Sequence, residues 1–162
     1  MDERSPYAPP ASNPEIYEER KGAAWKAVLL GVVVDIGGTV VISFGAAFVA
    51  AMIFTSQGMD EAQFDQLFAD RTSPLMVALT IVGGLFSILG GYVCAQIAKH
   101  NELKLGGVVA LFSTLFAIIL DDERSGMTED LLLYTAGIVS ILFGSWLGMK
   151  RNQRRRLLAN QG

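Results

Sequence analysis

An all-α integral membrane fold, a bundle of four helices with both termini in the cytoplasm, is what this sequence of 162 residues predicts. Three observations carry that expectation. Apolar residues make up 51% of the chain and charged residues only 18%, against about 25% charged in soluble domains. The apolar residues fall into four blocks, 27–54, 75–98, 105–120 and 131–149, with the charges collected between them. Eleven of the 13 basic residues lie in the terminal segments and the loop after block two, leaving only Arg71 and Arg124 for the other loops. Lys and Arg accumulate on the cytoplasmic side of a membrane, which sets the orientation.

Each block is judged against the bilayer. Crossing about 30 Å of hydrocarbon takes about 20 apolar residues in a helix. Block one is longer than necessary. Block three is short, and Leu103 with a snorkelling Lys104 extends it. The runs are continuous rather than alternating, which excludes transmembrane strands. The residues before block one hold no short apolar core of a signal peptide, so block one is expected to remain as a span. The predicted organisation is a leader over 1–22, a four-helix domain over 23–149 and a basic tail over 150–162.

Four of the five prolines fall in the first 14 residues, and Ser5 to Pro10 reads as a solvated, polyproline-like leader. Asn13 and Pro14 are a helix cap and first-turn pair leading into block one. Between blocks one and two, Phe64, Leu67 and Phe68 share a face at helical spacing. This predicts a short amphipathic helix over 60–69 on the outer membrane surface. The tail residues Lys150, Arg151, Arg154, Arg155 and Arg156 are expected to contact anionic lipid, worth about 1 kcal/mol per charge.

Helix packing should follow the small residues. Thirteen of the 17 glycines lie inside the blocks, and no proline does. Gly83, Ser87, Gly91 and Ala95 recur every four residues, as do Ala136, Ser140, Gly144 and Gly148. Each set forms a smooth stripe along one helix face, and in lipid such stripes mark helix contacts. The two stripes also resemble each other: Gly84–Gly91 matches Gly137–Gly144 at five of eight positions. That suggests two hairpins related by a parallel repeat.

Asp35 is the only acidic residue inside an apolar block. A carboxylate in a span costs about 2.5–3.5 kcal/mol on insertion scales and is a functional candidate by default. One reading makes it a proton- or cation-coupled site. The reading favoured here uses the excess length of block one to place Asp35 at the cytoplasmic interface, within reach of Lys99 or Lys104.

Several activities are excluded on composition. One His, His100, and one Cys, Cys94, cannot build a metal site or an internal disulfide. Ser87 lies 13 residues before His100, about 20 Å along a helix, too far for an activated nucleophile. Net charge is −3, which gives no nucleic-acid footprint. No cofactor motif occurs.

The Ser5–Pro10 leader, the four glycine-rich blocks and the basic tail together resemble a group of small uncharacterised bacterial inner-membrane proteins. The resemblance implies a location in the inner membrane and no activity. The expected role is therefore non-enzymatic: an accessory, assembly or structural component acting through lipids and either a membrane-protein partner or further copies of itself. The alternative is a small oligomeric transporter or channel using Asp35.

Overall fold

The structure, a computed structural model, describes residues 22–58, 70–120 and 127–159. The proline-rich leader, the Asn13 cap and the amphipathic segment 60–69 lie outside the described residues.

The described chain is all helical. Helix α1 (Ala24–Val32) runs through a π turn (Val33–Gly37) into α2 (Gly38–Ser56). Helices α3 (Pro74–Ala98), α4 (Glu102–Leu120) and α5 (Met127–Ala159) follow. Counting the first three segments as one continuous span of 33 residues, four helices are long and apolar enough to cross a membrane. Helices suit that medium because every backbone group is satisfied within the segment. The start of α3 is fixed by Ser73, whose hydroxyl accepts from Met76 N, and by Pro74 in the first turn. It stops where Lys99 and Asn101 take left-handed backbone angles, φ 54° and 48°. This three-residue turn is tight enough for α4 to return alongside.

The basic cluster does not form a loose tail. Helix α5 carries it onward as far as Ala159, so Lys150 to Arg156 are helical residues at one end of the bundle. The other end holds Asp70 and Asp130 and is tied by the Arg71–Asp130 ion pair at 2.8 Å.

Helix α3 is central and packs against every other span. Its main partner is α5, and the two run parallel. The core lies toward the basic end, where Ala27, Cys94, Ala98, Val109, Ala110 and Ile141 are buried. These are mostly small side chains, because the backbones approach too closely for larger ones. Most of the remaining surface is apolar, as lipid contact requires.

Candidate functional site

Asp35 sits in the middle of the π turn and is only 5% exposed. Ser87 Oγ donates a 2.7 Å hydrogen bond to its Oδ1. Ser87 is within one residue of the midpoint of α3, so the carboxylate stands at mid-height in the bundle. The sequence reading instead puts it beside Lys99 or Lys104. Neither Lys99 nor Lys104 is bonded to it among the described residues; the partner is a hydroxyl on the central helix. The height is set by the crossing of α1 and α3. A Cβ built on Gly90 would lie 2.7 Å from Gly31 O and 2.8 Å from Asp35 Cβ. Only glycine at position 90 leaves room for the π turn to press Asp35 against α3.

The π turn is an i→i+5 irregularity in an otherwise α-helical span. Thr39 Oγ1 donates to Asp35 O at 2.8 Å and so occupies a carbonyl at the irregularity. The site thus has a backbone brace from Thr39 and a side-chain brace from Ser87.

Beyond Asp35, toward the acidic end, the four spans part around a cavity of about 360 Å³. Asp35 and Ser87 are at its floor, and Leu120, the last residue of α4, is among the residues near its mouth. Among the described residues, Asp35 is the only charged one in the wall. Hydroxyls come from Thr39, Thr80, Ser113, Thr114, Tyr134 and Ser140, and the rest is apolar. Ser113 Oγ is buried with no hydrogen-bond partner among the described residues, so one wall of the cavity offers an unused donor. An ionised carboxylate accepts at about four lone-pair positions, and Ser87 supplies one bond.

The two small stripes divide between this cavity and the packed end. Gly83, Ser87, Ala136 and Ser140 line the cavity. A Cβ on Gly137 would meet nothing within 4 Å, and one on Gly84 would come no nearer than 4.0 Å to Ser140 Oγ. Gly91, Ala95, Gly144 and Gly148 instead form the close crossing of α3 and α5. A Cβ on Gly91 would overlap the Ile141 carbonyl, one on Gly144 would overlap that of Ile88, and one on Gly148 would lie 2.6 Å from Ala95 Cβ. In the basic half the stripes, expected to face other helices, bring two backbones together. In the other half the same small residues leave space.

A polar seam reinforces the closed half. Ser145 is fully buried and donates to Gly91 O at 3.2 Å, while Gln96 Nε2 donates to Gly148 O at 3.2 Å. Asn152 Nδ2 donates to Ala95 O at 3.0 Å and lies 3.4 Å from Oε1 of the buried Glu102. Arg156 donates to Lys99 O, and Arg151 to the Tyr92 hydroxyl. Two of the five basic residues expected to meet lipid are therefore fasteners between helices. Lys150 lies over the Trp146 ring at 4.8 Å, and Arg154 and Arg155 are exposed.

Sequence reasoning found Asp35 and Ser87 and did not single out Thr39, Ser113, Tyr134 or Glu102. Gly90 stood in a visible glycine pair, which was the available signal. Hydroxyls are common in spans, and nothing in their spacing marks a cavity wall. In comparison with known proteins, no family model, curated protein or solved structure matches the chain.

Proposed function

We propose that this chain is a small, non-enzymatic, ligand-binding membrane protein of the bacterial inner membrane, working as a transporter through the Asp35 vestibule. The observation that carries the proposal is a nearly buried carboxylate at mid-height, on the floor of a cavity closed on its basic side. Burying a charge is costly unless it is paired and hydrogen-bonded, and ionisable residues inside spans mark ligand and ion pathways. A cavity of about 360 Å³ falls within the usual range for small-molecule sites, roughly 300–1,000 Å³. With the basic end cytoplasmic, the vestibule opens outward. Lys150, Arg154 and Arg155 then meet the anionic inner leaflet.

Cysteine labelling tests this directly. In a Cys94→Ala background, Ser140→Cys should react with a membrane-impermeant maleimide added to intact cells. Gly137→Phe should block the reaction by filling the cavity. Reaction only from the cytoplasmic side would refute the orientation, and no reaction from either side would refute the vestibule.

A second reading, the accessory role expected from the sequence, draws on α2. Ala50 is its one buried residue, while Val41, Phe44, Phe48, Val49, Met52 and Ile53 are exposed. Mild-detergent purification from native membranes with mass spectrometry tests it: a stoichiometric partner favours assembly, and its absence favours transport.

A further inference from the structure

We infer that the ligand of the Asp35 vestibule is an organic monocation, an amine or quaternary ammonium head carried on an apolar body about 10 Å long. The inference rests on the reading of the cavity as a binding site and specifies its chemistry.

The head follows from charge. Among the described residues, Asp35 is the one ionisable carboxylate in the cavity wall, and no cationic side chain lines it. Ser87 bonds one carboxylate oxygen from the α3 side. An anionic ligand would be repelled at the floor. A neutral ligand would displace water from the carboxylate and return no charge, leaving a desolvated group unpaired. A divalent ion would bring one charge more than the site can neutralise. A monocation matches the count.

The body follows from the walls. From Ser87 up to Thr80 the cavity rises seven residues along α3, about 10 Å at 1.5 Å per residue. That stretch is lined by Ile36, Val40, Ala117, Leu133 and Gly137, with the Phe116 and Tyr134 rings. A bare metal ion would use only the floor and leave this apolar volume without a role. Hydrophobic burial along the walls gives affinity, while the carboxylate fixes orientation. The unpartnered Ser113 hydroxyl can donate to a polar atom part-way along the body.

The test uses the full chain in mild detergent with three probes of one shape: benzyltrimethylammonium, its neutral isostere neopentylbenzene, and the anion phenylmethanesulfonate. Sodium ion alone is a fourth probe, and the thermal midpoint is followed against concentration. Benzyltrimethylammonium should stabilise the wild type, and Asp35→Asn should weaken its apparent affinity about thirty-fold, as loss of one member of a buried charge pair does. Asparagine can still accept the Ser87 hydrogen bond, so the variant should fold. Gly137→Phe should abolish the response to every organic probe. Equal or better response to the neutral or anionic probe, a response to sodium alone, or an Asp35→Asn affinity equal to wild type would overturn the monocation while leaving the cavity reading intact. Identical responses of wild type and Gly137→Phe to every organic probe would overturn both.

Discussion

Gly91 and Gly144 make reciprocal contacts: Gly91 abuts the Ile141 carbonyl of α5, and Gly144 abuts the Ile88 carbonyl of α3. Each glycine thus meets the residue three positions before the other. Gly91 and Gly144 are 53 residues apart, and so are Gly84 and Gly137, Ser87 and Ser140, and Ala95 and Gly148. Helices α3 and α5 therefore cross as a parallel pair about a local two-fold axis. The internal sequence similarity has a physical counterpart, because equivalent residues do equivalent packing work.

Leucine at either glycine should be severe. What the new side chain meets is backbone, which cannot change rotamer, so Gly91→Leu and Gly144→Leu should each cost about 3 kcal/mol, the upper end of ordinary overpacking. Gly137→Leu should be neutral or slightly stabilising. Nothing lies within 4 Å of a Cβ there, and leucine forms helix better than glycine by about 0.8 kcal/mol. Thermal melting in detergent separates the two groups, and equal effects at all three positions would show that the crossing is not where the backbones meet.

The Ser87–Asp35 bond should appear as a coupling energy. Ser87→Ala should cost about 1–3 kcal/mol in the wild type, because it leaves a buried charged acceptor without its donor. In an Asp35→Asn background the same change should cost about 0.6 kcal/mol, the average for a neutral hydrogen bond between membrane helices. A double-mutant cycle measures the difference. Strict additivity would mean that the hydroxyl does not support the charge.

Within the basic cluster, position should matter more than charge. Asn152→Leu removes the donor to Ala95 O beside the buried Glu102 and should cost about 1–3 kcal/mol. Arg155→Ala changes an exposed residue and should stay within about 0.5 kcal/mol. Its effect should appear instead as weaker binding to anionic lipid vesicles.

Asp70 should titrate below the ordinary aspartate value of 3.8, because the Thr72 hydroxyl and then the Thr72 amide donate to its carboxylate. A folded value below the unfolded one means that the turn is stabilised above the carboxylate range. That contribution is lost as pH falls through the folded value. Carbon-detected NMR titration of the side chain measures it. Thr72→Val removes the larger cause and keeps the amide, so the value should move part of the way back toward 3.8. An unchanged value would remove the hydroxyl from the account.

Topology is open to the same kind of check. Reporter fusions after Gly162 should read cytoplasmic and fusions near Gln63 or Gly126 external, from the eleven-to-two distribution of basic residues. An external C-terminus would overturn the orientation.

The four helices were legible because hydropathy and length suffice to define a span. The stripes were legible because residues four apart share a face. Which half of a stripe closes and which half opens was not, since Gly83 and Gly91 are the same residue at the same spacing. Their fates differ because Ile141 and Ser145 press on one, while Thr39 Cγ2 stands 3.7 Å from the other. Asp35 is conspicuous in the sequence as a lone charge, but its height in the bundle and its Ser87 partner are not. The height depends on where Gly31 passes Gly90 and on a π turn over Val33–Gly37 that no hydropathy pattern marks.

That π turn gives the vestibule an unusual genetic fragility. Deleting a single codon within Val33–Gly37 would restore uninterrupted α-helix and leave the turns on either side close to their present register, because a π turn holds one residue more than the α turn it replaces. What would go is the widened turn that presses Asp35 against α3 at Gly90. Hydropathy, length and insertion would scarcely register the loss. Selection for residence in the bilayer alone would be blind to that codon, and only selection on the contents of the vestibule would retain it.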